Sequence, residues 1–187
     1  MKKMMMTLAA VLCCAMSTMM FTSCGSDDEP VKEPAEDKTP AKVAMKFAFY
    51  QTEDMLNYCN VEITYDDGTG KKSVTLTKDN VNAQLSWEKT VASDRLPAVI
   101  TFSRKVTLKQ SIDELERFSF TRGYYYMYEF YNAANKDLGL GALSNNSSSQ
   151  SGTGAKVAEY INQGKLDHTY TFTFNKKGEM DIDIDSK

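Results

Sequence analysis

The chain has 187 residues, with 22 basic and 25 acidic side chains, one histidine and a formal net charge of −3. That length suits one domain, alone or with an extended segment, and a composition 42% hydrophobic and 25% charged excludes a disordered polyampholyte and a multi-span membrane protein. Mild acidity offers no electrostatic footprint for nucleic acid, and a single histidine excludes a metal hydrolase built on a His cluster.

Lys2 and Lys3 precede an uncharged, mostly apolar run from Met4 to Phe21, and Thr22-Ser23-Cys24 follows. A basic start, an apolar middle and small residues at the end describe a secretory signal peptide over residues 1–23. The run approaches the ~20 residues of a bilayer-spanning helix, but no basic stop-transfer cluster follows it. Phe21-Thr22-Ser23-Cys24 resembles the lipobox of bacterial lipoproteins, with Phe21 standing where leucine is more usual. The resemblance implies that Cys24 is acylated and becomes the mature N-terminus. Gly25-Ser26-Asp27-Asp28-Glu29 resembles the acidic export signal of Bacteroidetes-type surface lipoproteins, which implies the outer face of the outer membrane. The periplasmic face is the alternative. Acyl chains contribute about 0.8 kcal/mol per buried methylene, so two or more of them anchor a soluble domain without a spanning helix.

From Asp27 to Pro40 the chain reads DDEPVKEPAEDKTP, with Val31 the only large aliphatic. Such a segment has nothing to bury, so residues 24–41 are expected to be a lipidated cysteine followed by a solvated acidic, Pro-rich tether. Cys13 and Cys14 lie in the leader and Cys24 at the lipidation site, which leaves Cys59 alone in the folded part. No intrachain disulfide is then available there. Cys59 shares its parity with Val61, Ile63 and Tyr65, the position of a packed thiol on a buried strand face.

Residues 42–187 read as one β-rich domain, because period two dominates from Val43 onward. Val43, Met45, Phe47 and Phe49 form one alternating set, and Cys59 to Tyr65 a second. Asp66-Asp67-Gly68-Thr69-Gly70 supplies hairpin chemistry, and the return strand turns Val74 and Leu76 inward. Val81, Ala83, Leu85 and Trp87 alternate next; after Pro97, a long strand places Ile100, Phe102, Val106 and Leu108 inward, interrupted by Arg104. Ser111-Ile112-Asp113-Glu114 has capping-box spacing and predicts one helical turn. An aromatic strand follows from Phe118 to Asn132, with Gly123 as a candidate bulge. Leu138 to Gly154 is glycine- and serine-rich and reads as a low-complexity loop. Ala155 to Ile161 predicts a short helix on Val157, Ala158 and Ile161, ended by Gly164. Tyr170-Phe172-Phe174 and Met180-Ile182-Ile184 close the set.

About eight short strands with one short helix predict an all-β fold. An antiparallel β-sandwich, Ig-like or related, is the first expectation. A lipocalin-like β-barrel, with a cavity lined by Phe47, Phe49, Phe172 and Phe174, is the alternative.

The most unusual chemistry is the run Tyr124 to Tyr131. A continuous strand sends Tyr124, Tyr126, Tyr128 and Phe130 one way and Tyr125, Met127, Glu129 and Tyr131 the other. One face can enter a core, and the other then offers aromatics beside a carboxylate, a surface suited to sugar rings or a protein partner. Tyr125, Met127, Glu129 and Tyr131, with Trp87 as an added platform, form the candidate binding patch. Asp181, Asp183 and Asp185 alternate with isoleucines and lack the glycine and distal glutamate of a calcium loop, so they read as a solvated strand face. His168 precedes a strand without a nucleophile elbow, and no phosphate loop, dinucleotide fingerprint or CxxC motif occurs. The reading is therefore a lipid-anchored surface protein that is not an enzyme and needs no cofactor or metal. Its partners are the membrane, through Cys24, and a glycan or an envelope protein or assembly. A barrel carrying a small hydrophobic ligand is the second reading, and a hydrolase using paired carboxylates the third.

Overall fold

A computed structural model describes residues 35–67 and 69–186. The leader, Cys24 and the first part of the tether lie outside the described residues. Eleven strands and two helices follow in order: β1 (Lys42–Tyr50), α1 (Glu53–Tyr58), β2 (Cys59–Asp66), β3 (Lys71–Thr75), β4 (Ser86–Ser93), β5 (Ala98–Leu108), β6 (Phe118–Thr121), β7 (Tyr124–Tyr131), β8 (Asp137–Asn146), β9 (Ser149–Gly152), α2 (Gly154–Asn162), β10 (His168–Phe174) and β11 (Met180–Ser186).

The strands build a four-stranded sheet, β4-β1-β7-β8, a five-stranded sheet, β11-β10-β5-β2-β3, and a small β6-β9 ribbon. Every pairing is antiparallel. The two large sheets pack through their inner rows. Phe47 of β1 stacks on Phe102 of β5 with centroids 4.5 Å apart and meets the edge of Phe172 of β10 at 5.7 Å. Tyr126 meets Phe172 at 5.1 Å, and Tyr128 meets Phe174 at 5.4 Å. Edge-to-face and offset pairs of this kind contribute about 0.5–1.5 kcal/mol each beyond their burial.

The fold is thus the expected antiparallel sandwich, and the barrel alternative is corrected. A closed barrel has no edges, whereas here β4, β8, β11 and β3 are outer members of open sheets. Phe47, Phe49, Phe172 and Phe174, expected to line a cavity in a barrel, are fully buried in one packed core.

Alternation worked where one face is covered. β1 buries Val43, Met45, Phe47 and Phe49, and β5 buries Ala98, Ile100, Phe102, Arg104 and Val106. It misled at Val81–Leu85, which is a turn rather than the start of a strand. The Asn82 Oδ1 there accepts from the backbone N–H groups of Gln84 and Ser86 at 2.9 and 3.1 Å, and Leu85 takes a φ of 57°. The segment at Ser111–Glu114 is a turn, not a helical one, closed by Leu115 N–H donating to the Ile112 carbonyl at 3.0 Å.

Two further differences raise the strand count, and a third adds a helix. The aromatic run is two strands, because the chain crosses close to another segment at Gly123. A β-carbon there would stand 2.6 Å from the Ser147 Cα, and the Gly123 carbonyl accepts from Tyr50 N–H at 3.2 Å. The stretch read as a loop holds β8 and β9. β8 is exposed along most of its length, so it carries no apolar period and is held by pairing with β7. α1 was not foreseen: six residues are too few for a helical period to emerge, but Thr52 caps it by accepting from Met55 N–H at 3.3 Å, and it buries Met55 and Leu56.

α2 lies where the sequence placed it, burying Val157, Ala158 and Ile161, with Gly164 at a φ of 70° just beyond. Glu36–Lys187 forms one unit. The end of the tether is tied to it, since Asn132 Nδ2 donates to the Asp37 carbonyl at 2.8 Å and Glu36 pairs with Lys136.

Candidate functional site

β7 lies inside the four-stranded sheet, between β1 and β8, so its outward side chains form the middle of a face. Parity divides the strand as the sequence indicated. Tyr124, Tyr126, Tyr128 and Phe130 pack against the core. Tyr125, Met127, Glu129 and Tyr131 stand on the opposite side, each half-buried.

The neighbours explain why these side chains form a shallow surface. Across β1, Tyr125 faces Ala48, Met127 faces Lys46, Glu129 faces Ala44 and Tyr131 faces Lys42. Across β8, the same residues face Asn145, Leu143, Gly141 and Asp137. Ala48 beside Tyr125, and Ala44 with Gly141 on either side of Glu129, are the small neighbours, whereas Met127 lies between Lys46 and Leu143 and Tyr131 between Lys42 and Asp137. Leu143 is 62% exposed and extends the apolar part. A depression of about 370 Å³ opens beside Met127 and Glu129, lined also by Asp137, Gly139, Gly141 and Leu143. Gly141 is required there: a β-carbon would lie 2.4 Å from the Tyr128 carbonyl oxygen.

The polar groups are held by one another. Tyr131 Oη donates to Glu129 Oε2 at 2.6 Å, and that bond, more than burial or the carboxylate charge, raises the phenol above its ordinary range. Lys46 pairs with Glu88 at 2.6 Å on the same face. The arrangement can stack a flat apolar ring, accept hydrogen bonds at Glu129 and Asp137, and donate from the tyrosine hydroxyls.

Trp87 does not join this patch. It lies one residue before the outward Glu88, opposite Phe49 in the inner row. Its ring packs on Tyr65 and Phe102 at 5.3 and 6.5 Å and is 7% exposed. The period of two sends alternate residues of β4 to opposite faces, so the indole is core and the proposed platform is corrected. What the sequence missed are Gly139, Gly141 and Leu143. They lie in the stretch read as a loop, and only their pairing with β7 brings them to the patch.

The remaining candidates are scattered. Asp181, Asp183 and Asp185 face Thr173, Thr171 and Thr169 across β10. Among the described residues, no group of three or more His, Cys, Asp or Glu side chains could hold a metal ion. His168 is half-buried, and its Nδ1 lies 3.1 Å from the Leu166 carbonyl. Cys59 is buried and free, and burial pushes its thiol up to about 11. It is therefore protonated and inert at neutral pH.

No helix among the described residues is long and apolar enough to cross a membrane. Compared with protein families, with curated proteins and with solved structures, the chain has no match.

Proposed function

We propose that this chain is a lipid-anchored protein of the outer membrane, displayed on the cell surface, whose sandwich binds a glycan through the outer face of β7 and β8. The observation that carries the binding half is the outward row Tyr125, Met127, Glu129 and Tyr131, with Ala48, Ala44 and Gly141 beside Tyr125 and Glu129 and the exposed Leu143 beside Met127. Aromatic side chains on a central strand, away from the core, cost apolar exposure that folding alone does not require. Flat rings with adjoining carboxylates suit the apolar faces and hydroxyls of sugars. The anchor half rests on the leader and on Phe21-Thr22-Ser23-Cys24.

One observation favours a second reading, in which the partner is an envelope protein. β8 is an edge strand next to the patch, and an incoming strand could pair with it while its side chains reach Leu143 and Met127.

Palmitate labelling of cells expressing wild type and Cys24→Ala tests the anchor: label in the wild type alone is expected, and equal label in both contradicts it. Protease treatment of intact cells separates the surface from the periplasmic face. A glycan array comparing wild type with Tyr125→Ala/Tyr131→Ala tests the patch. Signal lost in the double variant supports it, and identical profiles remove it.

A further inference from the structure

A second site lies at one end of the sandwich, on the inner rather than the outer face. Arg104 is 1% exposed, in the inner row of β5. Its register partner on β10 is His168, and the partner of His168 on β11 is Ser186. Arg104 Nε donates to the Leu166 carbonyl at 3.3 Å and Nη1 to the Tyr50 carbonyl at 3.4 Å, while Nη2 has no partner. Tyr50 N–H in turn donates to the Gly123 carbonyl. That bond brings Gln51, which follows Tyr50, near Arg122, which precedes Gly123.

The buried side-chain atoms without a hydrogen-bond partner among the described residues are Gln51 Nε2 and Oε1, Arg104 Nη2 and Arg122 Nε. They belong to three residues gathered by these bonds. Neither arginine has a carboxylate in ion-pair contact among the described residues. The nearby Asp167 already accepts from Val106 N–H at 2.8 Å. An unpaired buried guanidinium is costly, and burial depresses that of Arg104 to about 10. Arg122 is oriented by its guanidinium lying 4.5 Å from the Tyr160 ring centroid.

Beside this cluster opens a cleft of about 340 Å³, lined by Arg122, Tyr124, His168 and Tyr170 with Ser148 and Gln150. Arg122 is the charged residue of its wall, which otherwise offers hydroxyl and amide donors and two phenol rings and no carboxylate side chain. We propose that this cleft binds a small ligand carrying an oxyanion (carboxylate, sulfate or phosphate) on a body the size of one sugar ring. Arg122 contacts the oxyanion, the Ser148 and Gln150 side chains hydrogen-bond it, and Arg104 contributes its charge from behind His168. Guanidinium groups match the geometry of these oxyanions. The site is independent of the outer aromatic patch.

Thermal unfolding of the purified protein tests this with sodium glucuronate, sulfate and phosphate, against glucose and sodium chloride at matched ionic strength. Sulfate and phosphate stabilise proteins generally by exclusion, so the informative quantity is the saturable rise lost in Arg122→Gln. At least one oxyanion is expected to raise the wild-type midpoint saturably and to bind Arg122→Gln about tenfold or more weakly. Arg104→Met is expected to unfold later than the wild type without oxyanion, yet to respond less to it. Should Arg104→Met fail to fold, Arg122→Gln alone decides. The proposal is overturned if no oxyanion acts saturably, if wild type and Arg122→Gln respond alike, or if glucose acts as well as glucuronate.

Discussion

The outer faces of the two sheets are built on one core and look out on the same solvent, yet they differ sharply. On the five-stranded sheet, Thr64, Ser103, Thr169 and Asp185 follow one another across four strands, and Thr101, Thr171 and Asp183 run beside them. That face is mostly hydroxyls edged with carboxylates, with the exposed Val99 beside Thr101. The four-stranded sheet carries Tyr125, Met127, Tyr131 and Leu143 on its outer face. A solvated strand face is content with threonine, which has high β propensity and keeps a hydrogen-bonding group toward water. The threonine face therefore shows what this fold needs for stability, and the tyrosine face shows what it carries in addition.

The largest expected effect separates core from surface on β7 itself. Phe130→Ala removes a fully buried ring and should cost ~3–5 kcal/mol, whereas Tyr125→Ala should cost less than about 1 kcal/mol, both read from urea unfolding. Comparable losses would mean that the outer tyrosines are structural after all. Next in size is Gly141→Val. The new side chain fills the depression and collides with the Tyr128 carbonyl, so a loss of ~1–3 kcal/mol together with loss of binding is expected. The matching Thr101→Val, on the other outer face, should disturb neither.

A smaller effect lies with pH. Burial, followed by the charges of Arg104 and Arg122, lowers His168 below its ordinary value, against the raising effects of the Leu166 carbonyl and Asp167. The unfolded chain then binds the extra proton first. Stability contributed by the neutral imidazole is therefore complete above about pH 6.5 and declines as pH falls through that value. His168→Gln should flatten the decline in the midpoint between neutral and mildly acidic pH; an unchanged slope would assign it to other groups. The smallest effect belongs to the threonine face: Thr171→Ala should stay within about 0.5 kcal/mol of wild type and leave the glycan profile intact.

Much of this contrast is readable from alternation, and the reason is local. Where a strand is covered on one side, as at Phe47-Phe49 or Phe172-Phe174, burial imposes period two on the residues, and the division of β7 into Tyr126 and Tyr125 faces follows. Trp87 shows the limit: alternation put it inside, but a large aromatic invites a second reading that only the sheet register removes. β8 left no trace, because an edge strand exposed on most of its length selects small and polar residues, the same chemistry that marks a loop. Arg104 showed only as an interruption in an apolar set. Its meeting with Gln51 and Arg122 depends on pairing between distant segments, which no local pattern encodes.

Hydroxyl-radical footprinting in the presence of the strongest glycan from the array compares the two faces in one experiment. Tyr125, Met127 and Leu143 report on the four-stranded sheet, and Val99, 65% exposed, reports on the five-stranded one. Protection of the first three with Val99 unchanged is the expected result. Protection at Val99 with Tyr125 and Met127 still fully reactive would contradict the assignment of binding to the tyrosine face.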